Sequence, residues 1–239
     1  MSDIVFRSDV TTELVRSAAH DSDVVFAARV STQGSTSLAA ATTEASDLDQ
    51  GLIRFLMRDR HGSPFEHNSF TFFVEAPIFV FRELMRHRMA SYNEESGRYR
   101  ELRPIFYVPA RERRLVQKGK PGAYEFHEGT EEQFEIVDAE VRARSEEAYA
   151  SYQRMLEAGV AREVARTVLP LNLYSSAYVT VNARSLMNFI SLRTKHEGAA
   201  FPSFPQREIE MVAELMEKHF AEAMPMTHAA FDANGRIAP

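Results

Sequence analysis

The stretch HNSFTFFVEAPIFVFRELMRHR, residues 67–88, decides the fold. Residues 67–76 are dense in Phe and Thr and predict a strand. Pro77 then suits the first position of a helix, where its missing N–H is not needed and its fixed φ is already helical. Ile78, Phe79, Phe81 and Leu84 supply the apolar residues of that helix, which is expected to run into Arg86-His87-Arg88. A strand followed at once by a helix, among other separated strands and long helices, predicts an α+β fold. The expectation is a single domain, 1–239, with an antiparallel or mixed sheet packed by long helices. No Gly-x-Gly-x-x-Gly run occurs, so a Rossmann fold is not expected.

Working towards the N-terminus, residues 3–7 read as a short strand and 21–30 as a helix. Residues 31–46, rich in Ser, Thr and Ala, read as a loop that ends on Ser46, an N-cap residue with Asp49 in the first turn behind it. That helix runs to about Arg60 with Leu48, Leu52, Phe55 and Leu56 on one apolar face, and Gly62 and Pro64 then mark a turn.

Towards the C-terminus, 101–128 reads as loop, and its cluster of Arg111, Arg113, Arg114, Lys118 and Lys120 as a solvated surface. Residues 130–158 form the clearest helix, with a stripe of Phe134, Val137, Val141, Ala148, Tyr152 and Leu156 and a stop at Gly159. A short helix over 161–168, a strand over 177–181, a helix over 183–193 with Leu186, Ile190 and Leu192 apolar, and a final helix over 205–223 complete the reading.

Composition sets bounds. Seventeen Phe and ten Met can fill a sizeable core. A net charge of -6 argues against a general nucleic-acid binder, so any anion site must be local. With no cysteine there is no disulfide, Cys-zinc site or thiolate nucleophile. The eight histidines lack zinc-like spacing and no Gly-x-Ser-x-Gly elbow exists, so neither a metal nor a serine nucleophile is expected. No signal peptide and no membrane span are visible, and a cytoplasmic protein is the expectation.

The local anion site is the block from Arg86 to Arg100, which crowds Arg86, Arg88, Arg98 and Arg100 with His87, Ser91, Asn93, Glu94, Glu95 and Ser96. Arginine offers a planar fork of donors suited to phosphate and carboxylate oxygens, and Ser91, Asn93 and Ser96 add neutral donors that can fix an orientation. Such a density points to a polyanionic small molecule; the alternative is a solvated, ion-paired helix end. A second cluster spans 161–193. On a helix starting near Ala183, Arg184 and Asn188 share a face and Arg193 falls at the far end. By residues alone, this is equally a capped helix with surface arginines.

The first block is similar to the signature of the flavin-dependent thymidylate synthases, Arg-His-Arg-x-x-Ser-x-Asn-Glu-x-Ser-x-Arg-Tyr, and matches every specified position from Arg86 to Tyr99. Residues 161–170 and 182–193 resemble that family's second motif. The resemblance covers 51–100 and 160–194 well. It implies that Ser63, Arg86, His87, Arg88, Glu94, Asn182, Ala183, Arg184 and Asn188 hold FAD. It implies that Glu83, Leu84, Met85, Arg86, Glu94, Glu95, Ser96, Gly97, Arg98, Arg166 and Arg193 bind deoxyuridylate (dUMP). Arg193 is the implied catalytic residue, favouring the ionised N3 of uracil, and His61 is placed on the flavin and folate side. His67, beside Glu66, has no such match and reads as structural.

The implied reaction moves a methylene from 5,10-methylenetetrahydrofolate to dUMP, with NAD(P)H as reductant through FAD, in a homotetramer whose sites draw on several subunits. No membrane or nucleic-acid partner is implied. The missing cysteine fits, because it excludes the other route to thymidylate, in which a thiolate adds to the ring. Two departures stand out. The segment after Arg193 is longer than the family's and carries Pro202 and Pro205, so His196 receives no flavin role, and Glu83 stands where some members carry Gln. Two other classes stay open on the residues: a flavoenzyme passing its hydride elsewhere, and a binder of nucleotides or single-stranded RNA that stacks on Arg88, Tyr92, Arg98 and Tyr99.

Overall fold

The computed structural model describes residues 3–40, 46, 49–120 and 123–239. The fold is α+β, and both strand senses occur. By contacts, the described chain divides into two compact units.

The first unit comprises the described parts of 1–11, 75–84 and 94–177. Strand β1 (Val5–Arg7) pairs in parallel with a strand at Ile105–Tyr107, with Phe6 opposite Phe106. Residues 101–128, expected as loop, also hold an antiparallel hairpin of Val116–Lys120 and Ala123–His127, whose mostly polar strands hide the alternation that would have marked them. The basic cluster beside it is solvated as expected, with Arg111 paired to Glu131 on the surface. The long helix at Glu131–Glu157 is capped by Thr130, whose Oγ1 accepts from Gln133 N at 3.2 Å while Gln133 Oε1 accepts from Thr130 N at 2.9 Å. Gly159 stops it with φ +80°, a left-handed conformation that favours glycine.

Only the second half of that helix is deeply buried. Tyr149 and Tyr152 join Leu102, Phe106, Ala165 and Leu173 in the core, while Phe134, Val137 and Val141 of the expected stripe are half-buried. Tyr152 Oη accepts from Leu102 N at 3.2 Å and Tyr149 Oη donates to Leu102 O at 3.2 Å, so the two rings bury their area without stranding a polar tip. The helix over 161–168 is present as Arg162–Ala165 followed by a 3₁₀ turn at Arg166–Val168.

The helix after the first strand of the opening stretch is shorter than expected. The strand is Ser69–Pro77, so Pro77 ends it and does not open the helix, which spans Ile78–Leu84. Its first amides are held from outside: Ile78 N donates to Leu173 O at 2.9 Å and Phe79 N to Leu171 O at 3.1 Å. It stops before Arg86.

The second unit comprises the described parts of 12–74, 85–93 and 178–239. The chain also forms a four-stranded sheet, not confined to this unit's residues, in the order Thr11–Ala18, Ser69–Pro77, Tyr174–Val181 and Ser91–Glu94. The first and last of these strands were not expected, and the third begins earlier than the expected 177. Phe70 and Phe72 stack at 5.9 Å, and Phe220 meets Phe70 edge-on at 6.0 Å. The helices are Asp21–Gln33, Asp49–Arg58, Ala183–Arg193, Arg207–Ala223 and Pro225–Ala233. The last was not expected: Met224 interrupts the pattern, and Pro225 starts a new helix. Its first amides bond to buried Asp21, which accepts from Met226 N at 2.9 Å, Thr227 N at 2.8 Å and Thr227 Oγ1 at 2.6 Å.

Of the expected loop 31–46, residues 31–33 complete the first helix and 34–40 form a 3₁₀ segment; 41–45 lie outside the described residues, as does Leu48. Ser46 sits before the second helix as expected, and its N and Oγ both donate to Asp49 Oδ2, at 2.9 and 3.0 Å. On that helix Ile53, Leu56 and Met57 are buried, whereas Phe55 is 44% exposed. Leu192 of the 183–193 helix is likewise exposed.

A deeply buried arginine of this unit is Arg236, 3% exposed, at φ +58°. It holds Glu217 in a bidentate pair, Nη1 to Oε1 and Nη2 to Oε2, both 2.7 Å, and Asp232 Oδ1 at 2.6 Å. Burial alone would raise the Glu217 carboxyl, but hydrogen bonds from His228 and Arg236 outweigh it and hold it at about 2. A carboxyl held below its unfolded value stabilises the fold above that value and loses the contribution as pH falls through the folded one. Stability should therefore drop between pH 4.5 and about 2. Glu217→Gln should flatten that part of the acid limb and cost about 3 kcal/mol at neutral pH, by leaving buried Arg236 underpaired. Urea unfolding measured across pH checks both.

Candidate active-site residues

In the first unit the structure gathers Glu94, Glu95, Gly97 and Arg166 around a cavity of about 250 Å³. Thr167, Tyr174 and Ser175 add polar atoms, and Ile78, Leu102, Leu169 and Leu173 form an apolar wall. Glu94 is oriented by Ser175, whose Oγ donates to Oε1 at 2.6 Å. Glu95 is placed by its own amide, which donates to Ser176 O at 2.8 Å. Ser96 organises the following turn: its carbonyl accepts from Tyr99 N at 3.0 Å and its Oγ from Arg98 N at 3.3 Å. Gly97 is buried, and a Cβ there would lie 2.9 Å from Leu102 Cδ1 and 3.1 Å from Arg166 Cδ. Glycine is what lets the Arg166 stem pass so close to the chain. Arg98 does not line the cavity; it pairs with Glu163 on the surface at 2.9 Å. Glu83 is half-buried on its helix, and Leu84 belongs to the core.

Behind Glu95 stands a ladder of charges. Arg103 Nη2 meets Glu75 Oε2 at 2.6 Å and Glu95 Oε1 at 3.9 Å, and Arg7 also holds Glu75. Burial pushes the Glu75 carboxyl up, but the two guanidinium partners outweigh it and leave it below the usual range. The ladder thus holds Glu75 between Arg7 and Arg103, and Arg103 in turn faces Glu95.

In the second unit His87 and Arg193 meet. Arg193 Nε donates to His87 Nε2 at 3.2 Å, which requires that nitrogen to be an unprotonated acceptor. The imidazole stands edge-on to Phe189, centroids 4.8 Å apart, and Tyr92 Oη donates to the His87 carbonyl at 2.7 Å. Burial, and then the Arg193 charge, lower His87 to about 4. Burial also raises the Tyr92 hydroxyl to about 12, so it remains a donor. Arg86 and Arg88 flank this histidine and are exposed, and Met85 is half-buried.

The same unit holds the other expected residues. Asn182 caps the 183–193 helix, its side chain accepting from Ser185 N at 2.9 Å. Ala183 is wholly buried and its amide donates to Asn68 Oδ1 at 2.7 Å. Arg184 lies over Gly62, where a Cβ would fall 2.5 Å from its Cζ. Its Nη1 pairs with Glu66 at 2.5 Å, and its Nε donates to the Pro239 main-chain oxygen at 2.6 Å. Asn188 is exposed, its Nδ2 donating to Arg184 O at 3.1 Å. Ser63 and His61 are exposed, and His61 stacks on Phe55 at 5.5 Å.

The residues that the sequence reading missed are mostly supports: Ser175 for Glu94, Asn68 for Ala183, Glu66 for Arg184, Phe189 and Tyr92 for His87. Only Tyr92 carried a signal, as a tyrosine inside the polar block. His87 should titrate near pH 4, and Arg193→Gln should raise its midpoint by removing the adjacent cation. Histidine NMR across pH reads both. Because the folded value lies below the usual 6.5, His87 costs stability as pH falls from there towards 4.

Residues 13–226 match the family described as "thymidylate synthase complementing protein". A flavin-dependent thymidylate synthase of Streptomyces coelicolor is 65% identical over 237 residues, covering 99% of this chain and 96% of that protein. The Thermotoga neapolitana enzyme of the same name is 44% identical over 219 residues, covering 92% and 89%. Among solved structures, the UMP/dUMP methylase PolB of Streptomyces cacaoi bound with 5-Br dUMP superposes with a TM-score of 0.91 at 55% identity, covering 99% of this chain and all of that one. Matching over nearly the whole length, and at the motifs that carry the arginines just described, the chain belongs to the flavin-dependent thymidylate synthase family.

Proposed function

We propose that this flavin-dependent thymidylate synthase reductively methylates dUMP to dTMP, taking its carbon from 5,10-methylenetetrahydrofolate and its electrons from NAD(P)H, in the cytoplasm and as a homotetramer of 1–239 chains. The observation that carries the reading is Arg193, half-buried and held by a neutral histidine in a chain that has no cysteine. Without a thiolate to add to the ring, a fixed cation must stabilise charge developing on the pyrimidine. The bond to His87 restrains that guanidinium without removing its charge.

The first-unit cavity supports mononucleotide binding. Its volume lies just under the usual range for small-molecule sites, with one polar end and one apolar wall. Arg166 is the cation of that lining and suits a phosphate, while Glu94, oriented by Ser175, can accept from a ribose hydroxyl or ring N–H. Glu83, Leu84, Met85, Arg86, Glu95, Ser96, Gly97 and Arg98 complete the proposed dUMP set.

The donors also suit FAD. Arg86 and Arg88 are exposed cations for a pyrophosphate, and Ser63, Asn188 and the free Nδ2 of Asn182 offer neutral bonds. Arg184, His87, Glu94 and Ala183 make up the rest of the proposed set, with Ala183 acting through where it holds Asn182. Bound and reduced, FAD supplies the hydride. The exposed His61, stacked on Phe55, is proposed for the folate side.

The reading is tested by denaturing the purified protein, chromatographing the supernatant for FAD, and assaying dUMP-dependent release of tritium from the ring 5-position. A colourless protein that takes up no added FAD, or no tritium release with folate and NADPH present, rejects it. Running UMP beside dUMP separates the two substrates named for PolB. Mixing Arg88→Ala with Arg193→Ala subunits should restore some activity if sites are shared between chains.

Arg193→Ala should cut methylation about 10²–10³-fold while NADPH-driven flavin reduction survives. Arg193→Lys keeps charge but loses the planar fork and should recover only part of the rate. Either change should cost about 1 kcal/mol of stability, the usual size for a point substitution. Near-normal methylation by Arg193→Ala would reject the role.

A further inference from the structure

Arg193 ends its helix, and the last turn of a helix frays unless something holds it. Here the holding residue is Thr194, the next in the chain, and it is buried. Its N and its Oγ1 both donate to Ile190 O, each at 2.9 Å. Its carbonyl accepts from Ser203 Oγ. Its hydroxyl oxygen accepts from Arg236 Nη2 at 3.1 Å. Every polar atom of Thr194 is therefore engaged, one of them by the most buried guanidinium of its unit.

Arg236 is itself immobilised. Glu217 takes both its terminal nitrogens, Asp232 takes one, and its Cζ lies 5.1 Å over the Phe231 ring. His228 holds the far side of the carboxylates, with Nε2 3.0 Å from Glu217 Oε1. A non-glycine residue at φ +58° is uncommon, and this one is retained where its side chain fills so specific a place. The segment after Arg193 is tied to the same corner. Ala200 N donates to Gly235 O at 2.9 Å, and Gly235, at φ +69°, leaves room for Ala200, since a Cβ there would come within 2.9 Å of it.

We propose that Arg236 is a positioning residue for Arg193, acting through the Thr194 hydroxyl to lock the end of the 183–193 helix. The proposal rests on the reading of Arg193 as the residue that faces the pyrimidine. Arg236 also places a cation at the C-terminal end of that helix, where the exposed carbonyls favour it. With Thr194 locked at the helix end and Nε bonded to His87, Arg193 is constrained from its backbone and from its side chain. A group that must meet a developing charge within a fraction of an ångström needs both.

The experiment uses the full chain with its flavin and three variants. Thr194→Val removes the hydroxyl at constant shape, Thr194→Ser keeps it, and Arg236→Lys keeps a cation without the fork. Methylation kcat and KM for dUMP, NADPH-driven flavin reduction and the His87 titration midpoint are measured for each. Thr194→Val should lower kcat about 10- to 100-fold, as small misplacements do, with KM and flavin reduction unchanged. Thr194→Ser should recover most of the rate, and Arg236→Lys should fall between. The His87 midpoint should rise in Thr194→Val and Arg236→Lys, because the Arg193 charge moves away from the ring. A wild-type kcat in Thr194→Val, an equal loss in Thr194→Ser, or an unmoved His87 midpoint in a folded Thr194→Val protein overturns the proposal. The titration needs no turnover. A wild type that releases no tritium from dUMP therefore rejects the proposed reaction, while the His87 midpoint still decides the clamp.

Discussion

A guanidinium cannot be switched off at physiological pH, so a protein that uses one in chemistry must control it by position alone. In the role proposed for Arg193, its hydrogen bond to His87 supplies part of that control. An unheld arginine would explore many rotamers. The bond to the imidazole restrains the guanidinium, provided that the ring nitrogen stays an acceptor and the ring does not turn. Burial and Arg193 itself keep it neutral, and the edge of Phe189 and the backbone bond from Tyr92 restrain its orientation.

Carboxylates hold several of the other arginines. Arg7 and Arg103 share Glu75, Arg236 is bound by Glu217 and Asp232, and Arg184 is bound by Glu66. These pairs help to place neighbouring groups: Glu95, Thr194 and, through Arg184, which is also in the proposed FAD set, the turn around Gly62. Arg86 and Arg88 are exposed. An acidic chain can thus keep a local anion site, because its surplus carboxylates are spent on the arginines that build the frame.

The sequence was most legible where local chemistry dictates structure. The helix expected from Thr130 begins there, in a capping box with Gln133, Gly159 stops it as expected, and Asn182 caps the helix that carries Arg184, Asn188 and Arg193. It was least legible where tertiary partners decide. The strands at 11–18 and 91–94 find their place in a sheet whose other members are distant in sequence, and neither alternates cleanly. Pro77 is compatible with a helix start, but it ends a strand, because the next amides are taken up by the carbonyls of Leu173 and Leu171. Phe55 matched the apolar face by periodicity, yet it lies outside to stack on His61. The motif residues were legible as a group through resemblance, but their division of labour was not. Nothing in the run Ser96-Gly97-Arg98 says that Gly97 gives Arg166 its passage while Arg98 faces Glu163.

The supports missed in the sequence share a physical character. Ser175, Asn68, Tyr92 and Thr194 are neutral, short of charge, and each makes one or two directional bonds to a functional residue or its neighbour. Such residues are common in any chain, so composition and spacing cannot single them out. Their value comes from angle and burial, which exist only once the chain is folded. A charged residue in their place would compete with Arg166 or Arg193 for the ligand's anion or disturb the pKa of His87. Neutral supports fix geometry without adding a field. That is why the electrostatics of this protein can be read largely from its arginines and carboxylates, while its precision rests on residues that carry no charge at all.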